Sequence, residues 1–119
     1  MDKFVEDYVA HALICNTTED GDELLSDNYD IDDIDEDTML EISNDCREFR
    51  EGLSPELRAL VDKRPEVAGS HFYMARNGMA EGFNDDDWPP PAGAQLRKAA
   101  SAYEPMELFL DEDRRIRGW

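Results

Sequence analysis

Apolar positions near the N-terminus recur with helical spacing. Phe4, Val5, Tyr8, Val9, Ala12 and Leu13 fall on one side of a 3.6-residue repeat, which predicts a helix over residues 3–15, ended by the polar trio Asn16, Thr17 and Thr18. Residues 19–35 show no such period and read as irregular, with a short helical turn at 22–25. A second helix is expected over 36–50, with Met39, Leu40, Ile42, Cys46 and Phe49 as its buried side. Asp35 or Asp37 would cap its start, early acids suit the positive end of the helix dipole, Arg47 and Arg50 suit the other end, and Gly52 stops it. Ser54-Pro55 opens a third helix, Ser as N-cap and Pro at the first helical position, with Leu57, Leu60 and Val61 as its stripe. Pro65 interrupts that helix or begins a second short turn, and Gly69 closes the region.

The period then changes. His71, Phe72, Tyr73, Met74 and Ala75 form a dense apolar run, read as a strand, and Asn77-Gly78 is a hairpin turn signal. Residues 79–84 would return as the second strand, with Gly82 at a bulge or close approach. Residues 85–93 form a loop with Trp88 and three prolines, and 94–103 a last helix with Leu96, Ala99, Ala100 and Tyr103 inward. Residues 106–110 alternate as a strand, 111–113 turn, and 114–117 pair back. The expected fold class is α+β, three to four helices packed on a small antiparallel sheet built from a central β-hairpin and a C-terminal hairpin. The 119 residues suit one domain, an acidic helical half over 1–53 and a helix-plus-hairpin half over 54–119.

Charge changes the picture most. Thirty acids against 12 bases give a net charge of −18, while 40% hydrophobic residues supply a small core. Residues 1–50 hold 17 acids and 3 bases, and residues 19–37 alone hold 11 acids and no base. Two smaller clusters follow, Asp85, Asp86 and Asp87, then Asp111, Glu112 and Asp113. Such a chain lacks the basic footprint of a direct nucleic-acid binder and is repelled by an anionic membrane surface. No apolar run approaches the roughly 20 residues of a membrane span, and the start, with Asp2, Glu6 and Asp7, does not read as a signal peptide. The expected location is therefore the cytoplasm, with Cys15 and Cys46 as reduced, buried thiols.

Candidate chemistry is sparse. The spacing of Cys15, Cys46, His11 and His71 does not match a zinc finger. A calcium loop fails from Asp30, with Ile34 fifth and Asp35 in the glycine position, and from Asp33, with Thr38 in that position and Asn44 last. His11 and Cys15 stand four apart on one helix, a spacing that reads as a helix edge before it reads as a catalytic pair. His71 sits in an apolar run as a structural residue, and no phosphate-cradling glycine loop is present. The expectation is a non-enzymatic protein with no cofactor and no metal.

The acidic run carries Leu24, Leu25, Tyr29, Ile31 and Ile34 among its carboxylates. Apolar residues give a segment something to bury, so the expectation is an ordered acidic face and not a disordered tail. If 19–37 spanned roughly 28 Å as a helix would, 11 carboxylates would give about one charge per 2.5 Å, against about one per 1.7 Å along duplex DNA. A cationic groove built for DNA attracts such a face. The competing explanation is that the acids only confer solubility.

The second half resembles a family of small phage-encoded proteins. The resemblance lies in Ala68-Gly69-Ser70-His71-Phe72-Tyr73-Met74-Ala75-Arg76-Asn77-Gly78 and then Gly82-Phe83, in Ala102-Tyr103, and in the acidic-tipped C-terminal hairpin with Leu108, Leu110, Asp111 and Asp113. The first half is similar in Asp27-Asn28-Tyr29, Asp32-Asp33-Ile34 and Asp45-Cys46-Arg47-Glu48-Phe49. Family members often carry His where this chain has Ser70, and Trp-Asp-Arg-Gly where it has Asn84-Asp85-Asp86-Asp87. The resemblance implies a fold and a phage context, with no catalytic residues to carry over. By analogy with phage anti-CRISPR and anti-restriction DNA mimics, it implies an inhibitor that docks on the DNA-binding channel of a host defence complex in the host cytoplasm, a CRISPR effector first. The contact core would be Asp30, Asp32, Asp33, Asp35, Glu36 and Asp37, extended by Asp85, Asp86 and Asp87, with Tyr29 and Trp88 as apolar anchors. The alternatives are an anti-restriction protein or another modulator of a DNA-binding protein, and a phage structural or assembly protein using its hairpin to oligomerise. The chain itself would be a monomer or homodimer.

Overall fold

The first helix, α1 (Lys3–Cys15), forms where the apolar spacing puts it, and the Asp2 carboxylate caps it by accepting the Phe4 N–H at 2.8 Å. The computed structural model describes residues 2–18, 21 and 23–118. The turn expected at 22–25 starts at Asp22, outside the described residues, and the helical turn that forms is α2 (Leu25–Asn28), followed by a 3₁₀ turn at Ile31–Asp33. Next comes α3 (Glu36–Glu51), capped by Asp35, whose carboxylate accepts the Asp37 N–H at 3.1 Å. Ser54 caps α4 (Pro55–Lys63) as its sequence implies.

The next segment departs from expectation. Residues 71–75 are not a strand; they lie in α5 (Pro65–Arg76), which starts on Pro65 at its first position. Its buried residues Ala68, Gly69, His71, Phe72, Tyr73 and Arg76 repeat at three- and four-residue intervals but include three in a row, so the apolar run marks a helix buried over about half its circumference. Asn77-Gly78 ends this helix and does not turn a hairpin. The Gly78 N–H reaches the Ala75 carbonyl (3.2 Å), the Met79 N–H reaches the Met74 carbonyl (2.8 Å), and Gly78 takes φ +76°, together a Schellman C-terminus. Residues 79–84 form no strand, so the expected central hairpin does not exist. The last helix, α6, spans Ala92–Ala100, earlier than the expected 94–103. The C-terminal hairpin forms as expected, β1 (Leu108–Leu110) pairing antiparallel with β2 (Ile116–Gly118). The class is α+β, but with six helices and one two-stranded sheet among the described residues.

Helices α1 and α5 make the central contact of the core. They meet at Gly69, where a Cβ would lie 2.0 Å from the Phe4 carbonyl oxygen. Around this crossing Phe4, Tyr8, Phe49, Phe72, Tyr73 and Phe83 bury their rings, with Phe49 stacked on Phe72 at 4.3 Å. Arg76 is buried among them. Its Nε and Nη2 donate to the Glu104 carbonyl (2.9 and 2.7 Å), and its Nη1 to Asp45 (3.0 Å) and the Tyr8 hydroxyl (3.2 Å). Asn77 continues the clamp: its Oδ1 accepts the Met106 N–H at 2.9 Å and its Nδ2 donates to the Met106 carbonyl at 3.3 Å. The C-terminal hairpin is thereby anchored at its base by the end of α5. Its far strand packs on α3, with the Gly118 N–H donating to Thr38 Oγ1 at 3.2 Å.

Candidate functional site

The acidic segment is ordered by its apolar residues and by its own backbone. Leu25 and Ile34 are buried, and Tyr29 and Ile31 pack partly against the core. The Leu25 N–H donates to the Asn16 carbonyl (2.8 Å), and the Asp35 N–H donates to the Ile116 carbonyl (2.8 Å). Ile34 bridges β2 at Ile116, and Arg115 Nη2 donates to the Ile34 carbonyl at 3.3 Å. The two ends are thus held by α1 and by the C-terminal hairpin.

Between those anchors the carboxylates divide into two kinds. Asp30, Asp33 and Asp35 do local structural work. Asp30 and Asp33 exchange bonds with each other's turn (Asp30 N–H to Asp33, 2.9 Å; Asp32 N–H to Asp30, 3.0 Å), and Asp35 caps α3. Asp35 also faces Arg117 at 3.5 Å, and Arg117 Nε donates to Asp111, which holds the Asp111 carboxyl below the usual carboxylate range; the further backbone bonds from Arg115 and Asp113 act in the same direction. Asp32, Glu36 and Asp37 are exposed, and among the described residues they have no ion-pair partner. Glu23 and Asp27 are exposed too, but they also serve the α2 turn: the Asp27 carboxylate accepts the Leu24 N–H at 3.1 Å and Glu23 accepts from Asn28 Nδ2. Glu19, Asp20 and Asp22 lie outside the described residues. The path is a short helix, a 3₁₀ turn and a helix start, so the length of a single helix does not describe the spacing of these charges.

Asp85, Asp86 and Asp87 are exposed on a separate turn. Their contacts run to α4, α5 and α6: Asp85 faces Arg97 at 3.5 Å, the Asp87 carbonyl accepts from Arg64 at 2.7 Å, and the Asp87 carboxylate lies 3.9 Å from His71. No described contact ties them to the 23–37 segment, and Arg64 and Arg97 offset part of their charge.

Trp88 is not an exposed anchor. It is 1% exposed, packed edge-on to Phe83 and His71, with Arg64 over its ring. Tyr29 is half-buried and lines a groove beside α1.

His71 organises the turn that carries those acids. Its Nδ1 accepts both the Phe83 N–H (2.8 Å) and the Trp88 indole N–H (3.3 Å), so the ring proton resides on Nε2, toward Asp87. The Phe83 residue it holds has φ +52°, a left-handed conformation uncommon for a bulky side chain. Burial, the main cause, holds the His71 pKa below its ordinary 6.5; Asp87 and Asp7 oppose the shift, and Arg64 and His11 reinforce it. Above pH 6.5 the ring is neutral in both folded and unfolded chains, and its contribution is complete. Below 6.5 the unfolded chain takes up a proton that the folded one resists, so stability falls until the lower folded pKa is passed. In urea melts between pH 7.5 and 5, the advantage of the wild type over His71→Asn, whose Oδ1 replaces the Nδ1 acceptor, should shrink by up to about 1.4 kcal/mol per pH unit below 6.5. A constant difference across that range contradicts the assignment.

Cys15 is exposed, a correction to the expected buried thiol, while Cys46 is buried. Burial pushes the Cys46 thiol up to about 12; Cys15 is also raised, by burial and by Glu81. His11 stacks edge-on against Tyr73 at 5.9 Å. Among the described residues, no group of three or more His, Cys, Asp or Glu side chains is placed to hold a metal ion, and no helix is long and apolar enough to cross a membrane.

Fold and surface define a small α+β protein with an ordered, strongly acidic segment clamped between its first helix and its C-terminal hairpin. No family model, curated protein or solved structure matches the chain.

Proposed function

We propose that this chain is a non-enzymatic decoy that sets its acidic segment into the DNA-binding channel of another protein and excludes DNA. The observation that carries the reading is the pinning of residues 23–37. Leu25 and Ile34 are buried, while Glu23, Asp27, Asp32, Glu36 and Asp37 stand exposed on a backbone held at both ends. A mobile acidic tail loses conformational entropy when it binds, whereas a fixed array of charges avoids most of that cost. The molecule is elongated, 43 × 24 × 22 Å, a cross-section comparable to that of a duplex. The phage resemblance makes a host defence complex the first target, a CRISPR effector before a restriction enzyme. The chain's own charge argues against its binding nucleic acid directly.

The test separates recognition from folding because the two kinds of carboxylate can be separated. The triple variant Asp32→Asn, Glu36→Gln, Asp37→Asn leaves the caps at Asp30, Asp33 and Asp35 intact. In a competition assay against target DNA on a CRISPR surveillance complex, the wild type is expected to displace DNA. The triple variant should need about tenfold or more protein, and displacement should weaken as salt rises. Melting of the triple variant should stay within about 1 kcal/mol of the wild type, because the lost attraction of Glu36 and Asp37 to the start of α3 is offset by relief of like-charge repulsion. Equal competition by wild type and triple variant, or no displacement of DNA from any basic channel tested, rejects the decoy.

A further inference from the structure

One side of α1 and the segment that follows α2 line a groove that the fold leaves open. Val9, Leu13 and Ile14 of α1 line it together with Tyr29 and Ile31, around a volume of about 490 Å³. Ile14 is 51% exposed although it is a large aliphatic residue on a regular helix. Glu6 and Asp30, both exposed, belong to the same lining.

We propose that this groove receives a basic amphipathic helix of a partner protein, whose apolar side chains lie between Ile14 and Tyr29 while its Lys and Arg residues meet Glu6 and Asp30. Charge complementarity selects this occupant. A second copy of the chain would bring net −18 against net −18, with Glu6 and Asp30 at the seam. An anionic lipid or fatty acid meets the same repulsion. A small neutral ligand gains most when a pocket encloses 70–90% of its surface, which a groove lined by a half-exposed Ile14 does not offer. A helix laid along the groove satisfies the apolar lining and its two carboxylates together, the mode by which amphipathic helices dock in grooves. The inference deepens the decoy reading by naming the element of the target that the chain would grip beside its DNA channel.

The probe is a synthetic peptide of about 18 residues, five helical turns, composed of Leu and Lys at helical spacing. Methyl NMR should show its binding as shifts of Val9, Leu13, Ile14 and Ile31. Ile14→Gln alters only a half-exposed side chain and keeps every carboxylate; it should weaken the peptide about tenfold or more. A peptide with each Leu replaced by Ser should bind more weakly and ignore Ile14→Gln, and one with each Lys replaced by Glu should not bind. Shifts that spare the groove methyls, or equal affinity for wild type and Ile14→Gln, overturn the proposal. The two readings fail separately. If Ile14→Gln abolishes peptide binding but the chain displaces no DNA, the groove stands without the decoy. If the triple carboxamide variant loses DNA competition while Ile14→Gln keeps the peptide, the decoy stands without the groove.

Discussion

Arg76→Met is expected to remove about 3–5 kcal/mol of stability, a large part of the roughly 5–15 kcal/mol available to a domain of this size. Arg76 is 6% exposed and its guanidinium makes four hydrogen bonds to three oxygens on separate parts of the chain: Tyr8 on α1, Asp45 on α3, and the Glu104 carbonyl, reached twice, ahead of β1. Met fills much of the volume and leaves those acceptors without a donor. The Tyr8 hydroxyl suffers most, being buried against Phe72 and Tyr73. Arg76→Lys should fall between, because one ammonium replaces a planar fork and does not reach Glu104 and Asp45 in the same geometry. Urea melts measure both. The consequence reaches the acidic segment. Glu104 and Met106 are the tether of the C-terminal hairpin, and that hairpin holds Ile34 and Asp35 through Ile116. Amide exchange at Asp35 should therefore accelerate in Arg76→Met at a urea concentration where the fold persists. A loss below about 1 kcal/mol shows that the buried arginine is dispensable.

Gly69→Ala sets two effects of opposite sign against each other. Alanine favours a helix interior by about 1 kcal/mol over glycine. Here the added Cβ would sit 2.0 Å from the Phe4 carbonyl oxygen and 2.7 Å from the Tyr8 amide nitrogen, both backbone atoms of α1. A side chain could swing away; a helix backbone has to shift as a body. That shift also strains the bond from the Ser70 N–H to Asp7, now 2.6 Å. Overpacking costs about 1–3 kcal/mol in cores with some freedom and more where backbone is displaced, so the net result should be a loss of about 2 kcal/mol or more. Gly78→Ala is the control. Its φ of +76° strains a Cβ, but nothing lies within 4 Å, so a loss of about 1–2 kcal/mol is expected. A Gly69→Ala protein as stable as the wild type means that α1 and α5 do not cross as closely as described.

The segments that read correctly are those whose signals are local. Asp35 and Ser54 cap the helices they precede, and the alternation at 106–110 with its acidic turn forms the C-terminal hairpin. The misread segment, 71–84, carried two ambiguous signals. A five-residue apolar run fits a strand or one turn-and-a-half of a buried helix, and Asn-Gly suits a hairpin turn or a Schellman end equally, because both need a residue at positive φ. Pro65 as a helix start and the four-residue spacing of Ala68, Phe72 and Arg76 are compatible with the helix, but they do not exclude a strand at 71–75.

The amino-acid sequence by itself determined the charge, the helices that open at residues 3, 36 and 55, and the interleaving of Leu25 and Ile34 with carboxylates, because each depends on composition or on neighbours a few residues apart. Only the tertiary structure decided that 65–76 is helical, that Trp88 belongs to the core, which acids cap turns and which stand free, and that an apolar groove remains beside α1. Those outcomes rest on contacts such as Gly69 with Phe4, Arg76 with Glu104 and Ile34 with Ile116, between residues far apart in the chain. Local periodicity carries no information about which distant surface a side chain will meet, and it is that surface that chooses between conformations the chain allows equally.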